Sequence, residues 1–271
     1  MSASAYNLLV RAAPLIRVPT APAHMPEVVA DGSGLRCAVT GRIYPYTDGV
    51  LNLLEYEPTL TDTQHLLNTR FTAWAYDRFR ASLLRVGRAP DFPHEVASIQ
   101  RHLALDHGDT VLDLACGHGV FTIEWAKRVG PTGLVLGLDI SPAMLRRAAH
   151  HVADWELNNV LLIRGDALRL PFADGALNKI NCSGGFHQLP NLPQALDEIA
   201  RVSQPHAWLT ASTFAEADHD RFRRVKRWLH TRYAFHFVSL PWMGEYLSKH
   251  GYTNYTATLD GGWFGYTAAQ R

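Results

Sequence analysis

The chain has 271 residues, of which 26 are Lys or Arg and 25 are Asp or Glu, so its formal charge is only +1. This balance argues against a nucleic-acid-binding protein and against an acidic tail. A hydrophobic content of 47% with 19% charged residues is typical of a globular protein, and the apolar runs are too short to span a membrane. The three cysteines favour a reducing, cytoplasmic location without a disulfide framework. Because no acidic residue precedes Glu27, an organelle transit peptide is the weaker alternative.

The first part of the chain predicts an irregular arm followed by a small cap. Four prolines within residues 1–34 predict an extended, irregular arm. Residues 35–105 are expected to form a hairpin and a helical cap, and residues 106–271 the main domain. The expected elements of the cap are strands at 42–46 and 50–54 around the turn Thr47-Asp48-Gly49, and helices at 62–85 and 94–105.

In the main domain, strands alternate with helices, which predicts βαβ units and an α/β fold with a parallel sheet. Ser141 suits a helix N-cap, and Pro142 suits the first position of that helix. The tail predicts two adjacent strands joined at Asp260-Gly261-Gly262. Strands are expected at 110–114, 133–139, 160–165, 179–182, 207–214, 252–259 and 263–268, and helices at 119–129, 142–153 and 192–202.

The segment VLDLACGHGVFT, residues 111–122, predicts a ligand-binding loop between a strand and a helix. Gly117 and Gly119 let a ligand approach the main chain, and the following helix begins with unpaired N–H groups. In open α/β sheets, ligands bind beyond the carboxyl ends of the strands. The third glycine or alanine of the dinucleotide fingerprint is missing here, and the Gly-Lys-Ser/Thr of a P-loop is absent.

This segment resembles motif I of the class I S-adenosylmethionine-dependent methyltransferases. The resemblance implies a Rossmann-like, seven-stranded and mostly parallel sheet with an antiparallel carboxyl-terminal strand pair. It also implies S-adenosylmethionine as the cofactor. By the same resemblance, the loop holds the methionine part of the cofactor, a role that falls to Asp113, Ala115, Gly117 and Gly119.

Two further acids are expected at the ends of the next two strands. Asp139 can accept hydrogen bonds from both ribose hydroxyl groups, although a helix-capping acid is the alternative. Ile140 and Met144 are expected to contact the adenine, or else to pack their own helix. The segment GDALRLPF resembles the family's third-strand element, which implies that Asp166 accepts from the adenine amino group and that the N–H of Ala167 meets a ring nitrogen. The alternative for Asp166 is a turn-forming role.

The segment KINCSGGFHQLPN, residues 179–191, resembles the family's motif IV. The resemblance places Cys182 and Ser183, with the glycine after them, near the sulfonium. Many members carry an acid where this chain has Asn178-Lys179, which weakens the case for a catalytic carboxylate there. His187 is a candidate general base, with a structural role in closing the cofactor pocket as the alternative.

Residues 35–54 resemble a zinc-ribbon-like prelude that precedes some methyltransferase domains. Those preludes carry Cys-x-x-Cys pairs, but here Cys37 stands alone and Thr40 takes the second position. Because structural zinc needs about four ligands, we expect no metal. The hairpin is then a packing element or a wall of the substrate pocket.

Residues 221–242 mix basic and aromatic residues, which favours a helical lid over a nucleic-acid surface because the net charge is low. The aromatic residues that could line an apolar substrate cavity, or simply pack in the core, are Trp228, Tyr233, Phe235, Phe237 and Trp242.

Together these features predict methyl transfer from S-adenosylmethionine to carbon or oxygen of a small, largely apolar molecule, such as a secondary metabolite. One alternative is an enzyme of the same fold that uses the cofactor for cyclisation, decarboxylation or rearrangement. Another is a non-catalytic binding module. The sequence leaves the acceptor and the oligomeric state open.

Overall fold

The computed structural model describes residues 3–56, 69, 91–216, 227–228, 231, 236–260 and 264–271. The helices are α1 (Ala3–Ala12), α2 (Phe92–Leu103), α3 (Val120–Val129), α4 (Pro142–Asp154), α5 (Leu192–Val202) and α6 (Leu240–Lys249), with a 3-10 turn at Phe186–Gln188. The strands are β1 (Glu27–Val28), β2 (Gly34–Arg36), β3 (Ile43–Thr47), β4 (Val50–Asn52), β5 (Thr110–Leu114), β6 (Leu134–Asp139), β7 (Val160–Arg164), β8 (Leu177–Ser183), β9 (Ser203–Phe214), β10 (Thr253–Asp260) and β11 (Phe264–Gln270).

These strands form one sheet in the order β1-β2-β3-β4-β7-β6-β5-β8-β9-β11-β10. Strands β4 to β9 pair in parallel, and β10 and β11 form the antiparallel pair at one edge. Strands β6 and β7 are added on one side of β5, whereas β8 and β9 are added on its other side. The boundary between β5 and β8 is therefore a topological switch point. The predicted α/β class and the antiparallel strand pair are confirmed.

The predicted helix starts in the main domain are also confirmed. Pro142 is the first residue of α4, and the side chain of Ser141 accepts a hydrogen bond from the Met144 N–H at 3.2 Å. Leu192–Val202 is helical, as expected, and the side chain of Asn191 caps it. The predicted helix at 62–85 lies outside the described residues, apart from Thr69.

The hairpin is an extension of the main sheet. Asp48 and Gly49 both have positive φ, 51° and 80°, which is the two-residue type I′ turn that suits a β-hairpin. Strand β4 then pairs in parallel with β7 through Leu51 and Ile163. The sheet therefore has more strands than the seven expected, because β1 to β4 are added beyond β7.

The expectation of an irregular arm is wrong for its first turns, since Ala3–Ala12 is helical. Leu9 and Ile16 are fully buried, so the arm belongs to the core. The Arg17 N–H donates to the Pro171 carbonyl at 3.0 Å, which fixes the arm to the loop after β7. The prolines that suggested irregularity all follow this helix, and the apolar residues before them explain its packing.

Within the described part of the chain, no helix is long and apolar enough to cross a membrane. Cys37, Cys116 and Cys182 are all buried free thiols.

Candidate cofactor site

Backbone hydrogen bonds join the loops at the carboxyl edge of the sheet into one rim. The Cys116 N–H donates to the Leu138 carbonyl at 3.0 Å, which links the end of β5 to the end of β6. The Gly165 N–H donates to the Asp139 carbonyl at 3.1 Å and links β7 to β6 in the same way. The predicted cofactor residues that follow these strands therefore lie on neighbouring loops.

Asp139 is held in place by both of its oxygens. Oδ2 accepts from the Gly117 N–H and Oδ1 from the Ser141 N–H, each at 2.8 Å. Burial raises the pKa of this carboxyl, and the backbone hydrogen bonds oppose that shift. The carboxylate is thus oriented without a ligand, and each oxygen keeps a further lone pair for one.

The two glycines of the loop have different reasons to be glycine. Gly117 has a φ of +56°, and a Cβ there would meet nothing within 4 Å, so space is open beside its backbone. Gly119 has a φ of +84°, and its Cβ would lie 3.0 Å from the Ala148 Cβ, so it allows α3 to pack on α4. Ala115 also has a positive φ, 55°, which is a strained conformation for a residue with a Cβ.

Asp113 lies in a buried polar network. Its Oδ2 accepts from Thr122 Oγ1 at 2.6 Å, and its Oδ1 accepts from Asn181 Nδ2 at 2.9 Å. Burial raises the pKa of Asp113 to about 6, although these hydrogen bonds oppose the shift. The carboxylate joins α3 to β8. Its predicted role toward the methionine part of the cofactor stays a prediction.

Asp166 and its neighbours form the predicted adenine side of the rim. Asp166 Oδ1 accepts from the Leu168 N–H at 2.8 Å, and Oδ2 accepts from the hydroxyl of Tyr56. Ala167 and Met144 are buried, whereas Ile140 is half-buried. Of the two predicted apolar contacts, Ile140 is therefore the more accessible to a ligand.

The loop after β8 packs directly on the glycine loop. A Cβ at Gly185 would lie only 2.7 Å from both the Ala115 Cβ and the Cys182 Sγ. Cys182 is fully buried, and burial raises the pKa of its thiol. Ser183 is half-buried, and its Oγ donates to Asn181 Oδ1 at 3.0 Å. Ser183 is thus the more accessible member of this pair.

His187 is buried between aromatic and polar side chains, and its Nε2 lies 3.3 Å from Gln188 Nε2. It is 4% exposed, its ring meets the Phe214 ring edge to face at 4.9 Å, and Nδ1 lies 3.4 Å from Thr213 Oγ1. Burial, with the charge of His236 in addition, lowers the pKa of His187 to about 3. These surroundings favour the structural role, because a base of such low pKa takes protons poorly near neutral pH.

Glu95 is a further residue of interest that the sequence analysis missed. Its side chain on α2 is 2% exposed, and Oε1 accepts from Ser212 Oγ at 2.9 Å. Ser212 pairs with Ser183 across β8 and β9, so a buried carboxylate reaches the strand ends next to motif IV. The available signal was an acid on the apolar stripe formed by the buried α2 positions 96, 99 and 103.

The predicted aromatic lining is only partly visible. Trp228 is 56% exposed, whereas Phe237 and Trp242 are half-buried. The rings of Trp242 and Tyr246 are tilted by 39°, with centroids 5.1 Å apart. Tyr233 and Phe235 lie outside the described residues, so the apolar substrate cavity stays a prediction.

The hairpin cysteine has a polar partner of its own. Cys37 Sγ accepts from the Thr40 N–H at 3.4 Å, and hydrogen bonding with Thr40 lowers the pKa of the thiol to about 7. Among the described residues, no cluster of three or more His, Cys, Asp or Glu side chains could hold a metal ion. The resemblance to a zinc-ribbon prelude stays a prediction.

The order and direction of the strands define an α/β protein with a Rossmann-like sheet. A family profile described as a methyltransferase domain matches residues 105–240, half of the chain. The chain belongs to the class I S-adenosylmethionine-dependent methyltransferases, and S-adenosylmethionine is its cofactor.

Comparison with known proteins agrees with this membership. A protein of Halalkalibacterium halodurans named demethylmenaquinone methyltransferase is 37% identical over 125 residues, which are 42% of this chain and 51% of that protein. The chain thus spans about half the length of this curated relative.

Two solved structures are similar in fold. Phosphoethanolamine N-methyltransferase 2 of Haemonchus contortus has a TM-score of 0.64 at 14% identity, covering 79% of this chain and 60% of its own. The 4+2 cyclase SpnF has a TM-score of 0.59 at 16% identity, covering 79% of this chain and 98% of its own. At such identities these likenesses concern the fold alone.

Proposed function

We propose that this protein transfers the methyl group of S-adenosylmethionine to a carbon or oxygen atom of a small, largely apolar molecule. The bound cofactor supplies an electrophilic methyl group on its sulfonium. The task of the chain is to align the acceptor with that methyl group and to exclude water.

The arrangement of Asp139 carries this proposal. Two backbone N–H groups orient its carboxylate, and the two adjacent hydroxyl groups of a ribose match its two oxygens. The open space beside Gly117 leaves room for the rest of the cofactor along the glycine loop. Asp166, one strand further along the rim, is assigned to the adenine amino group.

On the acceptor side, we assign Glu95 the role of proton acceptor. Methylation of a hydroxyl oxygen, or of a ring carbon next to a hydroxyl group, releases a proton that a positioned carboxylate can take. Glu95 is buried and bonded to Ser212 at the strand ends, whereas the pKa of His187 is about 3. We therefore assign the role of base to Glu95 and not to His187.

The finer part of the proposal concerns the acceptor, which we take to be a hydroxylated aromatic ring of the quinol type. This choice of acceptor is supported by the name of the relative, demethylmenaquinone methyltransferase, although the match covers only 51% of that protein. A ring of this class is largely apolar, as is the secondary metabolite that the sequence predicts as acceptor.

Product analysis tests the proposal. The purified chain is incubated with methyl-labelled S-adenosylmethionine and a panel of quinols and phenols, followed by mass spectrometry. We expect S-adenosylhomocysteine and a labelled product in equal amounts. Conversion of an acceptor without release of S-adenosylhomocysteine would contradict methyl transfer and favour a cyclisation or rearrangement on the same fold. Cofactor binding without any conversion across the panel would favour the binding module.

A further inference from the structure

The parallel pairing of β4 with β7 adds a fourth strand end to the cofactor rim. Asp113 lies near the end of β5, Asp139 ends β6 and Asp166 follows β7. Strand β4 is the next strand in the sheet. Because β4 runs parallel to β7, its carboxyl end reaches the same edge of the sheet. The Leu53 N–H continues the pairing by donating to the Arg164 carbonyl at 3.0 Å. The residues directly after β4 therefore lie beside Asp166.

Tyr56 makes specific contacts at this position. Its hydroxyl donates to Asp166 Oδ2, and the Arg169 guanidinium lies 5.6 Å from the centre of its ring. Asp166 Oδ1 is held separately by the Leu168 N–H. The carboxylate of Asp166 is thus fixed from two sides, once by its own loop and once by the hairpin.

The bonded pair is accessible from solvent, because Tyr56 is 42% exposed and Asp166 is half-buried. A carboxylate oxygen has two lone pairs, so Oδ2 can accept from Tyr56 and from a ligand amino group together. A phenol that donates to one lone pair restricts the direction in which the other can accept.

We propose that Tyr56 is a positioning residue for adenine recognition, which it serves by orienting the Asp166 carboxylate toward the exocyclic amino group of the cofactor. This inference rests on the proposed role of Asp166 in the cofactor site. It gives the hairpin a specific task, since the segment after β4 contributes a group to the site formed by the main domain. The ligand class that Tyr56 selects is a 6-amino purine nucleoside.

The test compares two ligands that differ at this amino group. Calorimetric titration measures the affinity of the full chain for S-adenosylhomocysteine and for its inosine analogue, in which an oxygen replaces the amino group. We expect the wild-type chain to prefer the adenine compound by roughly 10- to 100-fold, the range for a hydrogen bond to a charged group. Tyr56→Phe should reduce this preference about threefold to tenfold.

A matched control separates positioning from general damage. Tyr44→Phe removes a hydroxyl group from the same hairpin, where it bonds to Thr20 and Glu55 and not to Asp166. A purely structural loss weakens both ligands equally, so this control should leave the preference unchanged. Asp166→Ala should abolish the preference for the adenine compound, and its ratio of affinities is the lower limit against which Tyr56→Phe is compared.

The outcomes separate the two levels of the proposal. If Asp166→Ala keeps the full preference, Asp166 does not recognise adenine, and the inference is overturned together with that part of the proposed function. If Asp166→Ala loses the preference and Tyr56→Phe keeps it, the inference alone is wrong. A stronger preference in Tyr56→Phe also overturns it, because the phenol would then compete with adenine for Asp166.

Discussion

The cofactor side and the acceptor side of the rim are assembled in different ways. On the cofactor side, Asp139 ends β6 and Asp166 follows β7, and backbone N–H groups hold both carboxylates, with Tyr56 as a further partner of Asp166. On the acceptor side, the buried pair Glu95 and Ser212 joins positions 117 apart in the chain. The residues proposed for the cofactor lie in short segments of recognisable sequence, whereas the proposed proton acceptor is joined to its partner only by the tertiary fold.

The largest effect should follow from removing the anchor of the cofactor side. Asp139→Ala loses the predicted ribose acceptor and also releases the N–H groups of Gly117 and Ser141. We expect cofactor affinity to fall by about 3 kcal/mol, the upper end for hydrogen bonds to a charged group. Calorimetric titration with S-adenosylhomocysteine measures the change.

Asp139→Asn is the matched control, since it keeps the size of the side chain and one acceptor oxygen. Its loss should be smaller than that of the alanine variant. Unchanged affinity in Asp139→Ala would mean that the rim does not bind the ribose, and the comparison between the two sides would lose its basis.

The acceptor side should respond in rate and not in cofactor affinity. Glu95→Gln keeps the shape of the side chain and its bond to Ser212 but removes the base. We expect kcat to fall about 100-fold, the lower end for positioned proton transfer, while the affinity for S-adenosylhomocysteine stays constant. Single-turnover kinetics with the acceptor identified by product analysis would measure this.

His187→Gln is the matched control for this experiment, because it also removes a titratable group at the rim. If His187→Gln lowers kcat 100-fold with unchanged affinity while Glu95→Gln has no effect, the roles assigned to the two residues are reversed. The pH–rate profile gives a second check, since the loss of a limb near pH 6.5 in the histidine variant would identify His187 as the base.

A smaller effect concerns stability and pH. The pKa of His187 is about 3 in the folded chain, against about 6.5 for an unfolded histidine. Below pH 6.5 the unfolded chain binds a proton that the folded chain does not, so stability falls as the pH decreases. At pH 5.5 this contribution amounts to about 1.4 kcal/mol.

His187→Asn should therefore make the free energy of unfolding less dependent on pH between 7 and 5.5. The pKa of Asp113 is raised to about 6, so protonation of Asp113 makes the folded chain more stable as the pH decreases. The quantity to compare is therefore the difference in free energy of unfolding between variant and wild type at each pH. Denaturant titrations at several pH values measure it, with His102→Asn, an exposed helical position, as the control. Parallel curves for wild type and His187→Asn would contradict the burial of this ring.

Much of the cofactor side could be predicted because its signals are local. The glycines, Asp139 and Ser141 lie in or directly after one βαβ unit whose first loop resembles a family motif, so the resemblance and the spacing were enough to propose them, and their contacts with the cofactor stay a prediction. The pairing of β4 with β7 could not be predicted, because the sequence of residues 50–52 does not indicate which strand they pair with, and that strand lies more than a hundred positions away. For the same reason, Tyr56 and Glu95 gave no sign of their partners, and α1 was hidden by the prolines that follow it.

The smallest expected effect is that of a chelator. The Thr40 N–H donates a hydrogen bond to Cys37 Sγ. A structural zinc needs about four ligands, and Cys37 supplies only one. The turn from Cys37 to Thr40 is also closed by the backbone, because the Gly41 N–H donates to the Cys37 carbonyl at 2.9 Å. Incubation with EDTA should therefore leave both the melting temperature and cofactor binding unchanged, and elemental analysis should find no stoichiometric zinc. Zinc at one equivalent, lost together with folded signal on chelation and reduced by Cys37→Ser, would show that the hairpin is a metal site and that its place in the sheet depends on that metal.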